Sequence, residues 1–382
     1  MTDQANIARD SAGAQVARAR RLVIKAGSSL MIGPGESGVR SPWLATLAVD
    51  LAALRQQGKE VVIVSSGAVA LGRQRLGLRR SSRLAEKQAA AAAGQSLLMQ
   101  AWDAALAPHG LAAAQMLLTF DDTERRRRWL NARATIEMLL AQNAVPVINE
   151  NDSVATDELR YGDNDRLSAR VAQMVRADLL ILLSDVDGLH SADPAREPSA
   201  AHIPYVAAIT PELETLAGDP GPHGSGGMRT KLAAARIAGA AGCATIIASG
   251  REDQPVQRIA DGGRATLFAA SGSPGRAYKQ WIAGTLVPAG ALIVDDGAAR
   301  ALASGRSLLP AGVTAVEGAF ERGSCLAVRT SEGAEIGRGI CAYNADEARA
   351  VAGSPSSAIE GLLGYAGPDE LIHRDDLVMA GR

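Results

Sequence analysis

Val23-Ile24-Lys25-Ala26-Gly27-Ser28-Ser29 is an apolar run that ends on a lysine and passes at once into residues with very small side chains. A strand buried on both faces reads as such a continuous aliphatic run, and not as an alternation. Small residues after it let backbone N–H groups come close to an anion. The same grammar recurs outward from this stretch. Residues 22–25, 60–64, 113–118, 145–148, 179–183 and 245–248 read as buried strands, and 42–57, 84–107, 123–142, 165–176 and 229–241 carry helical periodicity. Strands alternating with helices imply βαβ units, so the expected fold class is α/β, a mainly parallel sheet sandwiched by helices. Ligands then bind beyond the carboxyl ends of the strands.

Composition sets the limits. The chain has 382 residues, enough for two domains. Its apolar fraction of 47% supplies a core, but aromatics make up only 3%, so packing must rely on aliphatic residues and close helix–sheet approach. Forty basic residues against 41 acidic ones leave a net charge of −1, which argues against a whole-protein grip on nucleic acid. Residues 1–20 hold no apolar core of a secretory signal, and no apolar run approaches the roughly 20 residues of a membrane span. Cys243, Cys325 and Cys341 are scattered without Cys-x-x-Cys spacing, so neither a disulfide framework nor a zinc site is expected. The chain is expected to be soluble and cytoplasmic. Its expected division is an N-terminal extension (1–20), an α/β catalytic domain (21–270), a linker (271–278) and a small β-rich domain (279–378). Segments 281–286, 291–294, 313–317, 325–330 and 339–343 are the expected strands of that last domain. Residues 190–228, rich in Pro, Gly and Ala, are expected to form a mobile excursion over the site.

Three motifs carry chemistry together. Lys25 supplies a point charge beside its small-residue loop. Gly162-Asp163-Asn164-Asp165 offers a capped helix start with two acids. Gly224-Ser225-Gly226-Gly227-Met228-Arg229-Thr230-Lys231 is a Gly-rich loop opening an Ala-rich helix, with a composition like a phosphate loop but without Walker A spacing. Two lysines on backbone-exposing loops with a compact carboxylate cluster suit phosphoryl transfer from a nucleotide, where the protein positions phosphates and neutralises charge. Ser65-Ser66-Gly67-Ala68 makes a turn that either caps a helix or holds an anion. Asn149-Glu150-Asn151-Asp152-Ser153 follows a buried strand at once, where polar groups need partners such as a substrate ammonium, a lysine or a metal. Ser184-Asp185-Val186-Asp187-Gly188-Leu189 lacks the acids of a calcium loop. Arg125, Arg126, Arg127 and Arg128 read as a solvated helix face.

These motifs, with Ser307-Leu308-Leu309-Pro310-Ala311-Gly312-Val313 and His373-Arg374-Asp375-Asp376-Leu377, closely resemble the glutamate 5-kinase family over residues 21–378. That family has the amino-acid-kinase fold and a C-terminal PUA domain. The resemblance implies transfer of the ATP γ-phosphoryl group, with Mg2+, to the side-chain carboxylate of L-glutamate, the first step of proline biosynthesis. By resemblance, Lys25 and Lys231 stabilise the transferred group and Asp165 orients them. Ser66, Asp152 and Asn164 match glutamate-binding positions. Lys25, Ser184, Asp185, Ser225, Gly226, Gly227, Met228, Arg229, Thr230 and Lys231 match ATP-binding ones. No metal ligand is assigned. A carboxylate acceptor is already ionised near neutral pH, so no general base is demanded. The resemblance further implies proline as feedback inhibitor, a homo-oligomer (dimer or tetramer) and functional coupling to glutamate-5-semialdehyde dehydrogenase. Two rivals remain: a kinase of the same fold for aspartate, N-acetylglutamate or UMP, and an RNA-binding protein led by its PUA domain. Nucleic acid is not the expected partner, since residues 277–382 lack a basic run with interleaved aromatics.

Overall fold

The computed structural model describes residues 11–32, 38–79, 83–154, 164–194, 196–216, 227–285 and 287–380. The chain divides into two units, ending and beginning at Pro274 and Gly275. Strands β1 (Arg21–Ala26), β2 (Glu60–Ser65), β3 (Ala113–Leu118), β4 (Val145–Glu150) and β5 (Leu179–Ser184) form in the first unit. A two-residue pair, β6 (Leu189–His190) and β7 (His202–Ile203), comes next, then β8 (Tyr205–Val206), β9 (Ala244–Ser249) and β10 (Ala265–Phe268). Eight of these make one sheet in the order β3-β4-β2-β1-β5-β9-β10-β8. Every pairing is parallel except that of β9 with β10.

Because successive side chains leave a strand on opposite faces, the aliphatic runs feed two cores at once. Leu22, Ile24, Val61, Ile63, Ile181, Leu183 and Ile246 join one cluster with Trp43, Leu47, Leu51, Leu98 and Trp102 of the helices Ser41–Gln56 and Leu84–Leu106. Val23, Val62, Val64, Leu180, Leu182 and Ile247 join the other, with Ile136, Leu167, Val171 and Leu232 of the helices Arg126–Ala141, Asn164–Met174 and Met228–Ala240. The aromatic-poor composition is matched by close approach. A Cβ on Gly72 would lie 1.7 Å from Ala90 O, and one on Gly94 would lie 1.8 Å from Ala68 O, so the helices Ala68–Leu76 and Leu84–Leu106 cross backbone against backbone.

Register brings the strand ends to one edge. Lys25 pairs with Val64 and Leu182, Ala26 with Ser65 and Leu183, Leu118 with Glu150, and Ser184 with Ser249. All the strand-end motifs therefore meet there.

Several expectations need correction. The 123–142 helix is broken: Phe120–Glu124 is opened by a Thr119/Asp122 capping box and ends at Arg125, which is extended, and Arg126–Ala141 follows. The 190–228 excursion contributes to the β6/β7 ribbon and to sheet-edge strand β8, elements too short for period-2 patterning to reveal. Part of the N-terminal extension belongs to the first unit. Its helix Ala12–Arg18 buries Val16 and packs on Pro255–Ala260, and Lys59 Nζ donates to Val16 O, Ala17 O and Ala19 O at 3.0, 2.6 and 2.7 Å. Finally, 281–286 is not a strand; the helix Pro274–Thr285 covers it up to Thr285 and buries Tyr278 and Ile282, four residues apart on one face.

The second unit holds β11 (Gly290–Val294), β12 (Val313–Gly318), β13 (Cys325–Thr330), β14 (Glu335–Ile340) and β15 (Leu377–Met379), ordered β12-β11-β13-β14-β15. Only β11 with β13 is parallel. The expected strand 339–343 lies mostly past the end of β14. This sheet has its own core, including Leu292, Leu326, Val328, Tyr343 and Ile372. The two terminal-domain motifs meet within it: Leu308 N–H donates to Ile372 O at 2.8 Å, and Arg374 N–H to Ser307 Oγ at 3.0 Å.

Candidate active site

Lys25 leaves the carboxyl end of β1, Asp165 sits in the first turn of the Asn164–Met174 helix, and Lys231 in the first turn of the Met228–Ala240 helix. Packing of those two helices on each other joins the three. Lys25 Nζ lies 2.6 Å from Asp165 Oδ1 and Lys231 Nζ 3.1 Å from Oδ2, while Thr230 Oγ1 lies 2.9 Å from Oδ2. Asp165 is 1% exposed, Lys231 5% and Lys25 9%. Burial alone would raise the Asp165 carboxyl, but the two ammonium groups outweigh it and hold the acid well below the usual carboxylate range. Two cations share one anion, so the cluster keeps a surplus positive charge in a poorly solvated place. An anionic group arriving at the loops would meet it.

The polar groups after β2 and β4 form a second cluster. Asn164 Nδ2 lies 3.0 Å from Ser65 O, 2.6 Å from Ser66 Oγ and 3.1 Å from Asn149 Oδ1. Asn149 Nδ2 donates to Gln95 Oε1 at 2.8 Å, and Trp102 Nε1 donates to Ser65 Oγ at 2.9 Å. Asp152 follows, half-buried; desolvation pushes its carboxyl up to about 6 against the positive charge of Lys87. Ser66 and Asn164 thus meet in one hydrogen-bonded cluster and Lys25, Asp165 and Lys231 in another, the two made neighbours by the adjacent residues Asn164 and Asp165.

On the remaining side Ser184 is buried at the end of β5; its hydroxyl donates to Asp185 Oδ1 at 3.0 Å, and Asp185 is exposed. Gly227 caps the Met228–Ala240 helix, Met228 packs against the core, and Arg229 is exposed. Gly162, Asp163, Gly224, Ser225 and Gly226 lie outside the described residues. The Arg125–Arg128 stretch is indeed a solvated face: Arg125 and Arg128 pair with Asp121, and Arg128 also with Asp122. Two residues escaped the sequence reading. Gln95 and Lys87 come from the Ala-rich Leu84–Leu106 helix, which carried no readable signal. The one hint is that they are polar residues two turns apart, within about a quarter turn of each other around the axis.

Residues 20–249 match the amino acid kinase family, and residues 290–363 match the PUA domain. Glutamate 5-kinase of Paramagnetospirillum magneticum is 58% identical, over 96% of this chain and 99% of that protein. Those of Caulobacter vibrioides (57%, over 95% and 97%) and Rhizobium meliloti (glutamate 5-kinase 1; 56%, over 94% and 92%) are similar throughout. The chain belongs to the amino acid kinase family, within its glutamate 5-kinase branch. Solved structures resemble it more remotely. An isopentenyl phosphate kinase substrate complex matches at TM-score 0.46 and 15% identity, over 65% of this chain and 99% of its own. Bacillus anthracis UMP kinase matches at TM-score 0.46 and 16% identity, over 67% and 98%. These likenesses add nothing to the glutamate 5-kinase assignment. No helix among the described residues is long and apolar enough to cross a membrane.

Proposed function

We infer that this chain transfers the γ-phosphoryl group of ATP to the side-chain carboxylate of L-glutamate, giving γ-glutamyl phosphate and opening proline biosynthesis. The observation that carries the reading is the Lys25–Asp165–Lys231 ion cluster joined to the Ser66–Asn164–Asn149 network, in a chain more than half identical to glutamate 5-kinases over nearly its whole length. The acceptor carboxylate is ionised at neutral pH and attacks phosphorus directly. Its γ-phosphoryl target gains stabilisation from Lys25 and Lys231 as negative charge spreads over the equatorial oxygens. Asp165 holds both ammonium groups at a fixed separation. Ser66, Asp152 and Asn164 receive the amino-acid end, with the Asp152 carboxylate placed for the α-ammonium. Ser184, Asp185 and the loop from Ser225 to Lys231 receive the nucleotide.

Mg2+ is part of this proposal. No group of three or more His, Cys, Asp or Glu among the described residues is arranged to hold a metal. The ion fits as a companion of the ATP phosphates, since Mg2+ keeps several waters and takes few protein carboxylates. When bound it neutralises phosphate charge; the chain's own contribution is the two lysines.

A coupled assay across glutamate, aspartate, N-acetylglutamate and UMP tests the acceptor. Turnover confined to glutamate is expected; preferential use of another acid would overturn the reading. Proline is proposed to compete at the glutamate site, since both carry an α-carboxylate and a cationic nitrogen. The homo-oligomer and the coupling to glutamate-5-semialdehyde dehydrogenase remain proposals resting on family resemblance.

A further inference from the structure

The buried amides beside the acceptor cluster have a determined polarity. Glu150 N–H, a backbone donor, points at Asn149 Oδ1 at 2.9 Å, so that oxygen must face it. Asn149 Nδ2 is thereby turned toward Gln95, which must offer Oε1, at 2.8 Å. At the other end Ser65 O, a backbone acceptor 3.0 Å away, requires Asn164 to present Nδ2. Backbone atoms at two points therefore settle the orientation of all three side chains. Two ends of the relay are left over: the donor Gln95 Nε2 and the acceptor Asn164 Oδ1. Both residues are 9% exposed, and neither atom has a hydrogen-bond partner among the described residues. Buried polar groups are rarely left in that condition.

We propose that Gln95 is a specificity-determining residue whose Nε2 donates to the α-carboxylate of the acceptor amino acid. The proposal rests on the glutamate reading above. In that reading the γ-carboxylate must face the lysines and the α-ammonium is taken by acceptors, Asp152 and Asn164 Oδ1. The α-carboxylate then needs a neutral donor, and Gln95 Nε2 is the donor the relay leaves over. Its Oε1 is already committed to Asn149, so the amide cannot flip to offer an oxygen. Gln95 also sits one residue beyond Gly94, where the Leu84–Leu106 helix crosses Ala68–Leu76 too closely to admit a Cβ, which fixes its height along that crossing.

The test uses the full-length chain with Gln95→Glu and Gln95→Met. The first keeps Oε1 and replaces the donor by a carboxylate oxygen; the second keeps the shape and removes both polar atoms. Steady-state kinetics give kcat/KM for glutamate and KM for ATP. Competition constants are measured for γ-aminobutyrate, which is glutamate without its α-carboxylate, and for glutarate, which lacks the ammonium. Both variants should lose roughly 10- to 100-fold in kcat/KM for glutamate and a similar factor for glutarate. The γ-aminobutyrate constant and KM for ATP should stay within about twofold. If γ-aminobutyrate weakens as much as glutarate, Gln95 only supports Asn149 and the proposal falls. In the unaltered protein, the Gln95 side-chain amide resonance should shift on adding glutamate but not γ-aminobutyrate; no shift with either would also overturn it, even if both variants fail to fold. Failure of the unaltered protein to use glutamate at all would instead strike the functional reading.

Discussion

Asp165 and Asp152 show how one side-chain type is set to opposite tasks by its surroundings. Asp165 is wholly buried between two ammonium groups and stays ionised. Replacing it with Asn leaves Lys25 and Lys231 facing each other with no counter-charge, which should cost about 3–5 kcal/mol of stability in urea unfolding as well as activity. Because its folded value is depressed, its contribution is present above the ordinary carboxylate range and is lost as pH falls below it. Lys25→Ala and Lys231→Ala should each fold and lose roughly 10²–10³ in kcat, by analogy with removal of one oxyanion donor. Near-normal kcat in either would remove that lysine from the reaction. Asp152, pushed up to about 6, is half protonated near that pH in the free protein. Pairing with an α-ammonium requires the ionised form, so kcat/KM for glutamate should fall about tenfold per unit below pH 6. KM for ATP should stay flat, and Asp152→Asn should abolish the pH dependence along with most of the affinity for glutamate.

Among the elements, the short Pro255–Ala260 helix starts at Gln254, which lies in the left-handed region and supplies no side-chain cap. The cap comes from another helix: Val256 N–H donates to Asp50 Oδ2 at 2.8 Å, from a residue 206 positions away. Asp50 is 3% exposed, and desolvation pushes its carboxyl up to about 6 despite the backbone donors. A value raised above that of the unfolded chain means stability is fully present below about pH 4 and declines as pH rises through 6. Asp50→Asn keeps an acceptor for the helix and escapes that penalty. Its advantage over the unaltered protein should grow between pH 4 and 7 toward an upper bound of about 3 kcal/mol. A pH-independent difference in melting temperature would refute the account. The Leu84–Leu106 helix makes the opposite point about legibility. Its periodicity announced a helix but not Gln95 or Lys87, whose roles depend on what the helix lies against.

For the molecule as a whole, a core in the second unit that is separate from the two of the first predicts separable units. Ser271 N–H donates to Gly239 O, while Tyr278 and Ile282 are already on the far side of the Pro274/Gly275 division. A chain ending at Ser273 is therefore expected to keep glutamate-dependent ATP turnover and proline inhibition. Glutamate saturation with and without proline measures both, and an active fragment indifferent to proline would move the regulatory site into the PUA domain. The same domain invites an RNA reading. A gel shift at low salt is expected to show no retardation, in keeping with the mixed charge of that region.

The sequence by itself determined most strands of the first unit as aliphatic runs; it missed Ala265–Phe268, which is buried throughout, and Ala113–Leu118, expected to be buried, forms instead as a half-exposed edge strand. All six strands expected in the first unit form, and the lysines and acids at their ends carry their charge wherever they are placed. Only the tertiary structure decided which of them meet. Gln95 and Asn149 lie 54 residues apart and Lys231 lies 66 beyond Asp165. Those distances are closed by strand order and by helices crossing at Gly72 and Gly94, features that no local period encodes. Two-residue strands, a helix capped from another helix and a lysine closing the Ala12–Arg18 helix are of the same kind: each is specified by a neighbour far away in the chain.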